Sequence, residues 1–220
     1  MTISTTAISV ELEAYLTSIS AHKDLDLLRT FESADQFGMK AMQISWLQAN
    51  FLQLILSLVN PASVLEIGTF VGFSASVIAK AIPAESRVIT CEHISSYYDQ
   101  AVANFSRSGL ADKVEPIFGD AKKTVVSSKV QAAMFDLIFL DGDKANYAFY
   151  FDALREKLRP GGLFIADNTL FKGEVIMRSK SAHATGIARL NDLFAGAEDF
   201  QVSHLTIGDG MLIARKLPNK

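Results

Sequence analysis

The spacing of hydrophobic positions changes near residue 60 and divides the chain into two patterns. In residues 8–59, apolar residues recur at the spacing of a helix. Two stripes follow this spacing: Leu12, Leu16 and Ile19, and then Phe51, Leu54, Ile55 and Leu58. Pro61 comes next, and proline cannot continue a helix. We therefore predict an N-terminal helical extension over residues 1–60, packed on a core domain over residues 61–220.

From residue 63 onward, short apolar runs alternate with amphipathic stretches. The apolar runs predict strands over residues 63–67, 87–92, 114–118, 135–140, 162–166, 200–206 and 211–216. The amphipathic stretches predict helices over residues 73–82, 95–108, 121–131, 145–158 and 183–195. Such alternation is typical of βαβ units around a parallel sheet.

The connection between the last two predicted strands sets the topology at the end of the chain. Gly208-Asp209-Gly210 is too short for a parallel crossover, so these strands are predicted to form an antiparallel hairpin. The predicted fold class is therefore α/β, with a Rossmann-like, doubly wound sheet of seven mostly parallel strands and additional N-terminal helices. With 220 residues, 49% of them hydrophobic, the chain is long enough for one globular unit with a large core.

Charge and cysteine content argue against several classes of function. The formal net charge of -3 argues against a nucleic-acid partner, which usually needs a basic patch. The one cysteine, Cys91, cannot form an internal disulfide, so a reducing, cytoplasmic setting is predicted. No apolar run reaches the roughly 18 residues of a membrane span. Residues 1–6 lack the basic and apolar segments that predict a signal peptide.

A glycine-bearing turn follows the first predicted strand. Glu66, Gly68 and Gly72 have the spacing E-x-G-x-x-x-G there. A dinucleotide site needs G-x-G-x-x-G, whose glycines let backbone N–H groups approach a pyrophosphate. One tight turn with a nearby acid suits a cofactor that carries an ammonium group and no phosphate. The motif therefore favours S-adenosylmethionine over NAD, and the alternative is an ordinary strand-turn-helix corner.

Two further acids lie at the ends of predicted strands: Glu92 closes the second, and Asp120 follows the third. In such a sheet, ligands collect at the carboxyl ends of the strands. Glu92 could accept hydrogen bonds from ribose hydroxyls, or it could be a solvated acid that caps the next helix. Asp120 lies where the base of a nucleoside would lie, but it could equally cap the helix that begins there. Both alternatives stay open at this point.

Oxygen-bearing side chains follow the fourth and fifth predicted strands. Asp141, Asp167 and Asn168 are therefore expected at one place. Carboxylate and amide oxygens bind hard divalent cations such as Mg²⁺, Mn²⁺ or Ca²⁺, whereas zinc would favour Cys and His. The alternative is that the two acids cap the following helices. Lys144, three residues after Asp141, is a candidate base beside a cation and otherwise a surface lysine.

Several short motifs occur together between residue 40 and the end of the chain. They are Met42-Gln43-Ile44-Ser45, Gln48, Leu65-Glu66-Ile67-Gly68-Thr69, Asp141-Gly142-Asp143-Lys144-Ala145-Asn146-Tyr147, Arg159-Pro160-Gly161-Gly162-Leu163, Asp167-Asn168-Thr169-Leu170-Phe171-Lys172-Gly173 and Asp209-Gly210. In this combination the chain resembles the cation-dependent, class I O-methyltransferases, which include the caffeoyl-CoA and catechol O-methyltransferases.

The resemblance implies a role for each matching residue. Asp141, Asp167 and Asn168 would hold Mg²⁺ or a similar ion, and Lys144 would be the catalytic base beside Asp141. S-adenosylmethionine would contact a larger set: Met42, Ile44, Glu66, Gly68, Thr69, Ser74, Glu92, His93, Ala121, Asp141 and Asp143. The acceptor would face Lys144, Asn168, Phe171 and Lys172. Because family members are commonly homodimers, a homodimer is also expected.

The predicted function is methyl transfer from S-adenosylmethionine to a small phenol. The acceptor would be a vicinal diol of the catechol type, or its CoA ester, in a site closed by Met42, Phe171 and Tyr147. Phe171 stands where the family usually has Trp, and the short segment 174–180 lacks a Pro-rich insertion found in plant members. Alternatives are a methyltransferase for a non-catechol oxygen or for nitrogen, a nicotinamide-dependent oxidoreductase, and a non-catalytic cofactor-binding protein.

Overall fold

The structure, a computed structural model, describes residues 8–20 and 24–218. The strands are β1 (Ser63–Ile67), β2 (Arg87–Glu92), β3 (Val114–Phe118), β4 (Phe135–Leu140), β5 (Leu158–Asp167), β6 (Phe200–Leu205) and β7 (Met211–Lys216). The α-helices are α1 (Val10–Ser20), α2 (Leu25–Glu32), α3 (Trp46–Val59), α4 (Phe73–Ala81), α5 (Ser95–Arg107), α6 (Ala121–Val125), α7 (Ser128–Gln131), α8 (Tyr147–Leu154) and α9 (Ala182–Ala195). Short 3₁₀ helices span Ser33–Phe37, Lys40–Met42, Lys144–Asn146, Arg155–Lys157 and Phe171–Ile176.

All seven strands belong to one sheet, in the order β3-β2-β1-β4-β5-β7-β6. Strands β1 to β5 pair in parallel, whereas β7 is antiparallel to both β5 and β6. This topology confirms the predicted α/β fold class, including the antiparallel hairpin at the end of the chain. The strand order reverses direction between β1 and β4, and ligands bind at such a switch point in doubly wound sheets.

Apolar side chains cover both faces of the sheet, because successive residues of a strand point to opposite sides. In β1, Val64 joins a cluster that includes Leu52 and Leu56 of α3. Leu65 faces the other way, into a cluster that includes Phe151 of α8 and Ile187 of α9. The sheet is therefore the central layer between two groups of helices, and its polar strand ends are left at the edge.

The N-terminal region differs from the continuous helical pattern predicted for residues 8–59. Two 3₁₀ helices and an extended connection separate α2 from α3. Ser45 explains where α3 begins, because its side chain accepts a hydrogen bond from the Gln48 backbone N–H in a capping box. Local hydrogen bonding thus breaks the helix at a place where the apolar spacing of the sequence continues. The boundary predicted at residue 60 between two units stays a prediction.

Three other predicted boundaries are wrong for local reasons. The predicted helix 121–131 is two helices, because the Ser127 side chain accepts from the Val130 N–H and starts α7. The predicted helix 145–158 ends earlier, at Leu154, and continues only as a 3₁₀ turn. Strand β5 begins at Leu158 rather than at residue 162. Residues 1–6, for which no signal peptide is predicted, lie outside the described residues.

One helical segment, Lys40–Val59, is long and apolar enough to cross a membrane by length and composition alone. In the structure this segment consists of a 3₁₀ turn, a connection and the 14-residue helix α3. A membrane span needs about 20 continuous helical residues. The buried face of α3, which includes Leu52 and Leu56, packs in the core.

Candidate active site

A cavity of about 910 Å³ lies at the carboxyl ends of the parallel strands. The turns after β1 to β5 and the connection before α3 form its wall. Nearly every residue predicted to bind cofactor, metal or acceptor lines it: Met42, Ile44, Gly68, Thr69, Ser74, Glu92, His93, Ala121, Asp141, Asp143, Lys144, Asp167, Asn168, Phe171 and Lys172. Glu66 is the exception. The fold therefore brings together residues that are far apart in the sequence.

Gly68 makes the turn after β1 that opens the cavity. Its φ is +98°, a conformation that favours glycine, and a Cβ there would lie 2.6 Å from the Asp141 backbone oxygen. The Asp141 N–H also donates to the Ile67 carbonyl at 2.9 Å. The ends of β1 and β4 are thus in direct contact, and only glycine fits between them.

Two acids at the ends of β4 and β5 are buried next to each other. Burial raises the pKa of Asp141, although the positive charge of Lys144 acts in the opposite direction. Burial, followed by the negative charge of Asp141, raises the pKa of Asp167 to about 8. Neither side chain caps a following helix, so the capping alternative is wrong for both. The pair is an electrostatically unfavourable arrangement that a cation would stabilise.

The donor set at this corner suits a hard divalent cation. It consists of two carboxylates and the amide of Asn168, all of which line the same cavity. Oxygen donors are typical ligands of Mg²⁺, Mn²⁺ and Ca²⁺. The described residues contain no group of three His, Cys, Asp or Glu side chains that could hold a metal. The donor set here differs from such a group in that its third member is an amide. The residues present fit the predicted ion.

Lys144 is held beside the acidic pair by a short 3₁₀ turn. Asp143 starts this turn, since its side chain accepts a hydrogen bond from the Ala145 N–H at 3.2 Å. The Lys144 Nζ lies 3.1 Å from Asp141 Oδ1 and 5.9 Å from the centre of the Tyr147 ring. Lys144 is therefore not a free surface lysine, which was the alternative interpretation.

The segment after Asp167 has an unusual backbone. Asn168, Phe171 and Lys172 have φ values of 58°, 44° and 52°. These values lie in the left-handed region of backbone conformation, which residues other than glycine rarely adopt. The turn between β6 and β7 supports this segment, because Asp209 Oδ1 accepts a hydrogen bond from the Lys172 N–H at 2.7 Å. Backbone strain of this kind is common at ligand sites.

Glu66 is fully buried and does not line the cavity, so its predicted role with the cofactor stays a prediction. Its Oε2 accepts a hydrogen bond from the Thr90 hydroxyl at 2.5 Å, and Thr90 pairs with the Thr69 hydroxyl. Burial raises the pKa of Glu66 to about 8, and the hydroxyls of Ser74 and Thr90 oppose this rise. Glu66 is therefore connected to the cavity wall through Thr90 and Thr69.

Glu92 lies between the cavity and the backbone that leads into α5. Its carboxylate accepts backbone hydrogen bonds from Phe70, His93 and Ile94 at 2.8–2.9 Å, and the residue also lines the cavity. The side chain is largely buried, so it is not a solvated capping acid. Asp120 likewise lines the cavity, and it also caps α6 by accepting from the Lys122 N–H. Asp120 therefore combines helix capping with a position on the cavity wall.

Sequence reasoning missed several residues of the wall. Phe70 and Tyr97 form an edge-to-face pair, with ring centres 4.7 Å apart, and the Tyr97 ring also packs against Phe37 of the N-terminal segment. His183, at the start of α9, lies with its ring centre 6.1 Å from that of Phe171. Their aromatic character was visible, but nothing local in the sequence distinguishes them from core residues.

Tyr147 is not on the wall, although it was predicted to help close the site. It is fully buried, and its hydroxyl lies 3.2 Å from the carbonyl oxygens of Leu140 and Asp167. Its neighbour Tyr150 lines the cavity instead. Both residues lie on α8, three positions apart, and of the two only Tyr150 lines the cavity.

The geometry above agrees with comparisons to known proteins. A family model described as O-methyltransferase matches residues 16–217. The chain belongs to this O-methyltransferase family. This membership confirms both the predicted family and the predicted enzyme class, an S-adenosylmethionine-dependent O-methyltransferase.

Three similar proteins place this O-methyltransferase among its relatives. A catechol O-methyltransferase of Niastella koreensis is 33% identical over 84% of this chain and 85% of its own length. A caffeoyl-CoA O-methyltransferase of Stellaria longipes is 25% identical over 95% of this chain and 91% of its own. The O-methyltransferase of Bacillus cereus, solved in complex with SAH, superposes with a TM-score of 0.87, with 30% identity over 94% of this chain and 97% of that one.

Proposed function

We propose that this O-methyltransferase methylates one hydroxyl of a vicinal diol on a small phenol, with S-adenosylmethionine as donor, and that it requires a divalent cation. The observation that carries the proposal is the convergence of Asp141, Asp167 and Asn168, with Lys144 beside them, in the cavity that the β1 turn opens. The catechol O-methyltransferase among the relatives supports the same acceptor class.

We propose that the cofactor lies along the ends of β1 to β3. Gly68, Glu92 and His93 line the cavity along these strand ends. Glu66 would act through Thr90 and Thr69 rather than by direct contact. Its Oε1 has no hydrogen-bond partner among the described residues, and a cationic group near this wall would lower the cost of that buried acid.

We propose that Asp141, Asp167 and Asn168 hold the cation. When bound, a divalent cation lowers the pKa of coordinated hydroxyls and neutralises nearby carboxylates. In its neutral amine form, Lys144 would accept the proton of the acceptor hydroxyl, because its Nζ lies at the edge of this corner. Phe171, after β5, and Met42, in the connection before α3, both line the cavity and would cover the acceptor and exclude water.

The test is methyl transfer from S-adenosylmethionine to a panel of phenols, with and without EDTA. We expect methyl transfer to catechols, and we expect EDTA to abolish this transfer and added Mg²⁺ to restore it. Matched phenols that have a single hydroxyl should be methylated little. Transfer that is indifferent to EDTA would contradict the metal role. Equal transfer to single-hydroxyl phenols or to amines would favour the alternative, an acceptor that is not a catechol. The panel also includes one catechol acid and its CoA ester, and comparing transfer to the two shows which form the enzyme accepts.

We also propose a cytoplasmic homodimer with no nucleic-acid or membrane partner. Apolar side chains on the packed helices α1 and α3 remain exposed, including Val10, Leu54 and Leu58. Cys91 is buried as a free thiol, which suits a reducing compartment. Light scattering during size-exclusion chromatography tests the dimer, and cell fractionation tests the location.

A further inference from the structure

Gln48, in the first turn of α3, joins two parts of the cavity wall. The residue is 3% exposed. Its side-chain Oε1 accepts a hydrogen bond from the Ser45 backbone N–H at 2.8 Å. Its Nε2 donates to Asp167 Oδ1 at 2.6 Å, across 119 positions of the chain. One amide group thus contacts both the N-terminal segment and a proposed metal ligand.

The contact with Asp167 is not explained by helix capping. A capping box uses only the side-chain oxygen at this position, which binds the backbone N–H of the capping residue. The Nε2 donor is therefore available for a second task. The turn between β6 and β7 also restrains this amide, since a Cβ on Gly208 would lie 2.6 Å from Gln48 Cδ.

We propose that Gln48 is a positioning residue for Asp167, an inference that rests on the metal-dependent function proposed above. A neutral amide donor fixes the orientation of one carboxylate oxygen without cancelling the carboxylate's charge. A lysine or arginine at the same place would compete with a cation for that charge. Because Oε1 is occupied by Ser45, Gln48 orients the ligand and is not itself a ligand.

The test compares the Mn²⁺ affinity of the wild-type protein with that of Gln48→Met, which keeps the length of the side chain and removes both amide atoms. Mn²⁺ binding is followed by the electron paramagnetic resonance signal of the free ion. Loss of a hydrogen bond to a metal ligand typically weakens metal binding by about 10- to 100-fold, and we expect a dissociation constant raised by at least roughly tenfold. Activity is not needed for this measurement.

Two matched variants separate positioning from helix stability. Gln53→Met makes the same chemical change one turn further along α3, where the side chain lies away from the cavity wall. Ser45→Ala removes the other half of the capping box, the hydroxyl that accepts from the Gln48 N–H. We expect both to leave the Mn²⁺ affinity unchanged, and Ser45→Ala to lower the melting temperature.

Each outcome decides the inference. Gln48→Met binding Mn²⁺ as tightly as the wild-type protein would overturn it while leaving the metal site intact. A wild-type protein that binds no Mn²⁺ would overturn the proposed metal-dependent function, and the inference with it. If Gln48→Met does not fold, ¹⁵N NMR of the wild-type protein decides: we expect the Gln48 side-chain NH₂ signals to shift on Mg²⁺ titration, and unmoved signals would overturn the inference.

Discussion

Replacing Glu66 by Gln should change how the stability of the ligand-free protein depends on pH. In the folded protein, burial raises the pKa of Glu66 to about 8, from an ordinary value of 4.5. Between these two values the folded protein holds a proton on Glu66 that the unfolded chain releases. A rise in pH therefore favours the unfolded chain over this window.

The magnitude follows from the size of the pKa shift. Each pH unit within the window costs about 1.4 kcal/mol of unfolding free energy. From pH 5 to pH 7, the wild-type protein should lose roughly 3 kcal/mol of stability through Glu66 alone. Glu66→Gln keeps an oxygen that can accept from Thr90 but has no proton to release. Its stability should therefore rise relative to that of the wild-type protein as the pH increases.

Urea denaturation at pH 5, 6, 7 and 8 measures the difference between the two proteins. Because Asp141 and Asp167 are present in both proteins, the difference reports Glu66 together with its electrostatic interaction with Asp141. The same substitution at the exposed Glu198 is the matched control and should give no pH-dependent difference. A difference between Glu66→Gln and the wild-type protein that stays flat from pH 5 to pH 8 would refute the reasoning.

Three further variants test the site. Gly68→Ala should lower the free energy of unfolding by about 2 kcal/mol or more, because φ is +98° and the new Cβ meets Asp141; an unchanged urea midpoint would contradict this. Lys144→Met should lower kcat by roughly 10²- to 10⁴-fold while calorimetry shows unchanged S-adenosylhomocysteine affinity; a wild-type kcat would exclude Lys144 as the base. Gly208→Ala should weaken Mn²⁺ binding, because its Cβ displaces the Gln48 amide; wild-type affinity would argue against that restraint.

The sequence predicted the central strands well because they are short and largely apolar. Val64 and Leu65 face opposite clusters, yet both are buried, so β1 is apolar without alternation. The same logic predicted Asp141 and Asp167 at one place, since parallel strands end at the same edge. Helix boundaries were less predictable where Ser127 starts a new helix inside an amphipathic stretch.

Contacts that depend on distant pairing could not be predicted. Gln48 has no local pattern that points to Asp167, because the contact needs α3 to pack beside the end of β5. The strained backbone at Phe171 and Lys172 likewise depends on Asp209, from a turn formed much later in the chain. Such features require the three-dimensional fold before they can be stated.

Glu66 shows why a motif identifies a residue better than it identifies the residue's role. In the sequence, an acid at the end of β1 suggested direct contact with a cationic cofactor. In the structure, the charges of Asp141 and Glu92 add to burial in raising its pKa, and these acids come from two other strands. A site that gathers several buried acids in the ligand-free protein is best stabilised by cationic ligands. The proposed cation and the sulfonium cofactor would both meet that requirement, each on its own side of the switch point.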